Sequence, residues 1–486
     1  MALPPETAAL LDRLARFGTR LGLERIRALL AGLGDPQDGV PTVLVAGTNG
    51  KGTVAALLAS FGVAGRYRTG LYTSPHLETP EERLRLDGAA IDPERLGELL
   101  ERVLAAAGRL DEPPTYFEAI TAAAVLWFAE EKVELAILEV GLGGRFDATN
   151  AVEPSLGVIT AVGLDHREHL GDTLEEVARE KAGILRTGVP VVTAGGAPEV
   201  VRALEAEASR VGAERIAADA RLRVEAVQRF RPFSGEPLRQ RIWLRRPGPE
   251  EAEAAGEADG PPDAATPAPV DRELEVFELA LAGRHQAENL AVAVTAAEEL
   301  RRLGWERLAG RRLARGARAC RWPGRLEEVR IPDAPGGTEA RVLLDVAHNP
   351  AGAAALGAAL NDLGEPVDLL FGVLQDKDAG AMLEHVAPRA TALTLTRPSE
   401  PRGREAASLA ELVPAPEEGG GKGKRGGGDR VQVVEKPGEA VVVALRRAEG
   451  RIVVACGSLA LVGEVRTALR ERYGVPKAAA ELRTGP

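Results

Sequence analysis

The sequence predicts an α/β protein built on two mainly parallel sheets, and three observations carry that reading. Short Val/Ile/Leu runs alternate with longer Ala/Leu/Glu/Arg-rich segments of helical spacing, the pattern of buried parallel strands covered by helices. The rhythm is interrupted at Arg321-Trp-Pro-Gly-Arg325 and then resumes. Polar residues and glycines gather where the apolar runs end, which is where open α/β sheets hold their ligands. With 486 residues the chain exceeds one ordinary hydrophobic core, so we expect two domains, 1–320 and 321–486.

In the first half the expected strands are Thr42 to Ala46, Leu135 to Val140, Leu156 to Ala161 and Pro190 to Ala194. In the second half they are Leu326 to Ile331, Val342 to Val346, Val367 to Phe371, Thr391 to Thr396 and Ile452 to Cys456, a second Rossmann-like set. Pro247 to Val270 and Pro414 to Arg430, rich in Gly, Pro, Ala, Glu and Lys, read as flexible surface insertions.

Composition narrows the function. The hydrophobic content of 45% and charged content of 27% are ordinary for a globular chain, and no apolar run approaches the roughly 20 residues that span a bilayer. The start Met1-Ala-Leu-Pro-Pro-Glu-Thr7 lacks the basic and apolar regions of a signal peptide, which predicts a cytoplasmic protein with no membrane partner. Cys320 and Cys456 stand far apart, so neither a disulfide framework nor a zinc site is expected. A net charge of -11 argues against nucleic acid as a partner and means that an anionic substrate needs local cations.

Four segments carry chemistry. In Val43-Leu-Val-Ala-Gly-Thr-Asn-Gly-Lys-Gly-Thr53 a strand enters a glycine-rich turn that opens a helix over Val54 to Ala64. Such a turn aims backbone N–H groups and the positive helix end at a phosphate, while Lys51 adds a charge and Thr53 a hydroxyl for Mg²⁺. The strict P-loop pattern is not met, because position 45 is Val and Gly52 separates the lysine from the threonine; an unrelated glycine turn is the plainer alternative. In Leu138-Glu-Val-Gly-Leu-Gly-Gly-Arg-Phe-Asp-Ala-Thr-Asn150, Glu139 stands at a strand's end and is either a metal carboxylate or, with Asp147, a loop acceptor of backbone hydrogen bonds.

The third segment, Gly163-Leu-Asp-His-Arg-Glu-His-Leu-Gly171, precedes a helix that Asp172 or Thr173 can cap and whose last turn holds Lys181. There Lys181 is either functional or a solvated partner of the helix dipole, and His166 by itself reads as a turn histidine, since Mg²⁺ prefers oxygen. In the fourth, Val342-Leu-Leu-Asp-Val-Ala-His-Asn-Pro-Ala-Gly352, a strand ends on polar residues before a proline opens a helix. Asp345 and His348 would face one crevice, or Asp345 to Asn349 is only a capped turn. Five of the six histidines fall in such turn segments, His385 alone lying in a plain helical stretch.

Together with Tyr72-Thr-Ser-Pro-His76, Arg179-Glu-Lys-Ala-Gly183, His285-Gln-Ala-Glu-Asn289 and Pro323-Gly-Arg325, these segments resemble the folylpolyglutamate synthase and dihydrofolate synthase family of Mur-type ligases, over nearly the whole chain. The resemblance implies an N-terminal P-loop-type Mur-ligase ATPase domain and a smaller C-terminal Rossmann-like domain that closes over it. It implies ATP contacts at Thr48, Asn49, Gly50, Lys51, Gly52, Thr53, Asn289, Arg325, Asp345 and His348. Metal ligands would be Thr53, Ser74, Glu139, His166 and Lys181, with two Mg²⁺ sites and a carbamylated Lys181. Thr115 and Phe117 would line a pterin pocket, and Lys51, Lys181 and His348 would serve catalysis. The implied reaction joins L-glutamate to dihydropteroate or a reduced folate through an acyl phosphate, in a monomer. Two rivals are a Mur-type ligase acting on a cell-wall precursor and a nucleotide-gated regulatory ATPase.

Overall fold

A computed structural model describes residues 4–15, 18, 20–108, 110, 112–231, 238–248, 274–335, 339–414 and 430–476. Both expected insertions fall mainly outside these residues. The first sheet contains β1 (Thr42–Ala46), β2 (Thr69–Tyr72), β3 (Leu84–Leu86), β4 (Ala89–Ala90), β5 (Leu135–Glu139), β6 (Leu156–Ile159), β7 (Pro190–Thr193) and β8 (Glu214–Ala217). Their order is β4-β3-β2-β5-β1-β6-β7-β8, and only β3 runs antiparallel to its neighbours. Period-two alternation makes both faces apolar. Leu44, Ala46 and Leu138 face one core beneath the helices Pro93–Ala107 and Tyr116–Glu130, while Val43, Val45 and Ile137 face another beneath Lys51–Ala64 and Arg284–Arg302.

A small antiparallel sheet of β9 (Arg223–Phe230), β10 (Arg239–Arg245) and β11 (Leu274–Leu279) covers part of this second core through Ile242 and Leu244. It is absent from the sequence-based expectation, because its apolar runs are short, Ile242-Trp243-Leu244 being the longest, and stand between Arg, Gln and Glu.

The third sheet, beyond Cys320, holds β12 (Glu327–Ile331), β13 (Ala340–Leu344), β14 (Val367–Phe371), β15 (Ala390–Leu395), β16 (Val431–Val433) and β17 (Ile452–Cys456) in the order β12-β13-β17-β14-β15-β16. Only β12 runs antiparallel. Leu343, Leu369 and Phe371 pack under Pro350–Leu363 and Ala379–Val386, and Val342, Leu344 and Leu370 under Pro437–Ala448 and Leu459–Tyr473. The expected strands are all present, three with the expected bounds and the others with ends shifted by no more than two residues. The helix after β1 begins at Lys51 rather than Val54, and His285 and His169 lie in helices rather than turns. Among the described residues no helix is long and apolar enough to cross a membrane.

Candidate active site

β1 lies between β5 and β6, so the loops after these three strands open into one crevice at the switch point of the sheet. The loop after β1 turns at Gly50, whose φ of +89° a side chain would strain, and the helix starts at Lys51. The indole of Trp322 lies against Gly52, where a Cβ would stand 2.9 Å from Nε1 and 3.3 Å from Cε2. This contact accounts for the glycine at position 52, where a side chain would press on the indole.

Thr48 and Asn49 serve the loop itself. Their amides both donate to the Ala161 carbonyl, at 2.8 and 3.1 Å, and the Thr48 hydroxyl donates to the Gly163 carbonyl at 2.9 Å. These bonds tie the β1 loop to the loop after β6 and leave the Gly50–Lys51 end free. Asn289 stands against that end, its Oδ1 2.3 Å from where a Gly50 Cβ would be.

Gly47, Thr48, Lys51, Gly141, Asp165, His166, Lys181 and His348 line a common pocket. Lys181 is 3% exposed, which removes the solvated reading, and its Nζ donates to the Gly47 carbonyl at 2.9 Å. Burial, with the Lys51 charge adding to it, lowers its pKa to about 7. Glu139 is buried, and burial raises its pKa against the pull of Lys51; it accepts from the Ser74 amide at 3.2 Å. Thr53 is buried in the first turn of the loop's helix.

The C-terminal sheet contributes the opposite wall. Asp345, after β13, is buried and raised by desolvation to about 6, with Arg325 pulling it back, and it accepts from the Leu326 amide at 2.9 Å. Burial lowers the His348 pKa, while its Nε2 stands 3.4 Å from Asp165 Oδ2. Asn349 caps the helix Pro350–Leu363, as its place before the proline suggests.

The sequence did not single out Asp165, yet it joins the two halves. It accepts from Lys377 Nζ at 2.7 Å and Asn349 Nδ2 at 3.1 Å, beside His348, and all three donors lie beyond β13. Hydrogen bonds from His348 and Lys377 overcome its burial and hold its carboxyl far below the usual range. Asn349 also donates to Asn49 Oδ1 at 3.1 Å. Lys377, in the loop after β14, has no local signal, and 212 residues separate it from its partner. His166, beside this hub, is 40% exposed, and burial lowers its pKa.

Of the expected pterin-pocket residues, Phe117 lies against the pocket wall at Gly141. Thr115 caps the helix Tyr116–Glu130 in a capping box with Glu118, a role the Thr-Tyr-Phe-Glu spacing encodes. Phe117 packs on Gly141 and lies 6.1 Å from the Tyr72 ring. Asp147 is buried nearby and takes the plainer of the roles its segment offered, accepting from the backbone amides of Leu142 and Thr149 at 2.8 and 3.0 Å.

Comparison with known proteins decides what this cleft belongs to. Residues 45–211 match the Mur ligase middle domain, and residues 324–459 match the Mur ligase glutamate ligase domain. A dihydrofolate synthase/folylpolyglutamate synthase of Bacillus subtilis is 33% identical over 463 residues, covering 94% of this chain and 96% of that one. The chain belongs to the folylpolyglutamate synthase/dihydrofolate synthase family. That family consists of ATP-dependent ligases that add glutamate to folates, so the chain is an enzyme of the acid–amino-acid ligase class.

The chain spans about half the length, 51%, of a probable bifunctional folylpolyglutamate synthase/dihydropteroate synthase of Haloferax volcanii, to which it is 33% identical over 483 residues. Among solved family members, a Mycobacterium tuberculosis folylpolyglutamate synthase complexed with ADP superposes with a TM-score of 0.77 at 30% identity, covering 95% of this chain and 98% of that one. An E. coli member in complex with DHPP and ADP superposes at 0.74 and 28% identity, covering 96% and 98%. A bifunctional member with Mn, AMPPNP and L-glutamate bound gives 0.72 and 28%, again covering 96% and 98%.

Proposed function

We propose that this chain joins the amino group of L-glutamate to a carboxylate of dihydropteroate, of a reduced folyl-polyglutamate, or of both, by way of an acyl phosphate, as a cytoplasmic monomer divided near Cys320. The observation that carries the reading is the meeting of Lys51, Lys181 and His348 at a phosphate-type loop, in a crevice walled by both sheets. Solved relatives that hold ADP, L-glutamate and DHPP support it.

The carboxylate of the acceptor is a poor acyl donor. Its oxygen attacks the γ-phosphorus of ATP, ADP leaves, and the glutamate amine then displaces phosphate from the acyl carbon to form the amide. Lys51 at the helix N-terminus is placed to offset charge on the phosphoryl group in flight. Asn289, against Gly50, together with Arg325, Asp345 and His348, would hold the nucleotide from the other side. Closure of the second wall excludes water that would otherwise hydrolyse the acyl phosphate. Phe117, with Thr115 behind it, would offer a ring surface to the pterin.

The donors suit a divalent ion carried largely by phosphate. Among the described residues no group of three or more His, Cys, Asp or Glu is arranged to hold a metal, but Glu139 is a buried carboxylate beside the phosphate loop. Mg²⁺ keeps water and phosphate oxygens and takes one or two protein carboxylates, which matches. Thr53, Ser74 and Glu139 would hold one ion, and His166 with a carbamylated Lys181 a second. Bound Mg²⁺ supplies Lewis-acid neutralisation of the phosphate charge.

Carbamylation of Lys181 has a physical basis. Addition to CO₂ requires the neutral amine, and a pKa of about 7 makes that form abundant at neutral pH. The Lys51 cation that disfavours the ammonium would stabilise the anionic carbamate. The neutral fraction rises as pH passes upward through 7, so bicarbonate should stimulate turnover above that pH and much less below it. ¹³C-bicarbonate should give a carbamate carbon signal that disappears in Lys181→Arg; no signal above pH 7 would remove the carbamate from the account.

The acyl phosphate is tested with acceptor labelled with ¹⁸O in its carboxylate. One ¹⁸O should appear in each phosphate released. Unlabelled phosphate accompanying amide formation would exclude this route.

A further inference from the structure

The turn that carries Ser74 continues into Leu77 and Glu78, and these two residues are packed on the C-terminal sheet unit rather than on their own. Leu77 joins the apolar cluster of that unit, near Gly324 and Val462. The Glu78 carboxylate, 2% exposed, accepts from Arg466 Nε at 3.2 Å and Thr467 Oγ1 at 3.1 Å and is also paired with Arg470. All three partners lie on the helix Leu459–Tyr473. The Leu77 carbonyl rests on the same helix at Gly463, where a Cβ would stand only 2.1 Å from the oxygen.

The loop is also clamped from its own side. The Glu82 carboxylate accepts the backbone N–H groups of Leu77, Glu78 and Thr79 at 2.9, 3.0 and 3.0 Å. Three residues upstream of Leu77, the Ser74 amide donates to Glu139 at 3.2 Å. A segment held this tightly moves as a piece, and what holds its outer edge also sets its inner one.

We propose that the Leu77–Glu78 clasp on the helix Leu459–Tyr473 positions Ser74 and Glu139, so that the phosphate side of the site reaches working geometry only when the C-terminal unit is seated. Glu78 and Gly463 are positioning residues, since neither lines the pocket. The inference rests on the ligase reading and adds to it the contact that couples closure to the reacting end.

Gly463→Ala is the direct probe. Gly463 lies inside a helix without positive φ, so alanine improves the helix while pushing the Leu77 carbonyl away. Because the obstacle is backbone, the loop must shift on the order of 1 Å, a misplacement that can cost about 10²-fold in turnover. Glu78→Gln, which keeps the side-chain shape but removes the charge, is the second variant. Melting temperature, ATP-analogue affinity, kcat and hydrogen exchange over Thr73–Thr79 are measured for the wild type and both variants.

The expected result is a lower kcat and faster exchange at this loop in both variants with nucleotide affinity held, the melting temperature being held in Gly463→Ala and lowered in Glu78→Gln, where two arginines lose a buried partner. Unchanged loop exchange, an unchanged kcat in Gly463→Ala, or a loss in Gly463→Ala that follows melting temperature would overturn the proposal. Absence of turnover in the wild type would count against the ligase reading alone, and the exchange result would still decide the clasp.

Discussion

Replacing Lys51 by glutamine is expected to lower glutamate-dependent turnover by about 10²- to 10³-fold, the scale seen when one preorganised charge-stabilising donor is removed. The fold should persist, because Lys51 opens the helix Lys51–Ala64 from a half-exposed position and its Nζ donates to one loop carbonyl, that of Thr48, at 3.1 Å. Its charge also acts on Glu139 and Lys181. Without it, Lys181 should titrate at higher pH, and the carbamate signal at a given pH should weaken. Kinetics and ¹³C labelling on the same variant therefore read two consequences of one cation. A variant that loses turnover but keeps the wild-type carbamate titration would contradict the electrostatic coupling.

The second large effect is expected at Gly50. Alanine there meets a φ of +89° and stands 2.3 Å from Asn289 Oδ1, so backbone and side chain are disturbed together. Strain of this kind costs on the order of 1–3 kcal/mol, borne at the loop that should receive the phosphates. ATP affinity measured by calorimetry should fall at least about tenfold, the equivalent of about 1.4 kcal/mol. Asn289 is itself expected to hold the nucleotide, so the double variant is compared with Asn289→Ala alone: there the clash is gone and the strain is not, and Gly50→Ala should still lower affinity. No further loss in that background would place the whole effect in the side-chain contact, and wild-type affinity in Gly50→Ala would remove the loop from nucleotide binding.

Asp165 gives a smaller and different expectation. It accepts hydrogen bonds from the C-terminal half, so Asp165→Asn should leave each half folded while weakening their contact. Lower kcat with a raised KM for ATP is expected; unchanged kinetics would reduce the hub to a passive surface pair.

Much of this site was legible in the sequence because it sits where strands end. The loops after β1, β5, β6 and β13 each follow a short apolar run, and a run that stops on Gly, Asp, Glu or His marks a crevice without any knowledge of its neighbours. Lys181 was visible only by its place in a last helical turn; its burial, and hence its lowered pKa, depends on the Gly47 carbonyl 134 residues away. Asp165 and Lys377 depend on the apposition of two halves, which no periodicity encodes. Gly52 looked like a defect in a phosphate-loop pattern until Trp322 was seen against it. The three-stranded sheet escaped because its strands are half exposed and their apolar runs, of three residues at most, are flanked by Arg, Gln and Glu. Glu78 has no pattern around it in the sequence, and only its packing on a helix almost 400 residues later gives it a role.

The most direct test is ADP release by the purified protein with ATP and Mg²⁺, with and without L-glutamate, comparing dihydropteroate, tetrahydrofolate and no acceptor. The account predicts release that requires glutamate and at least one acceptor, with a product heavier by one glutamyl residue. Turnover with both acceptors would make the enzyme bifunctional, and turnover with one would name its step. Folded protein that binds ATP but shows no acceptor-stimulated release would contradict the central claim.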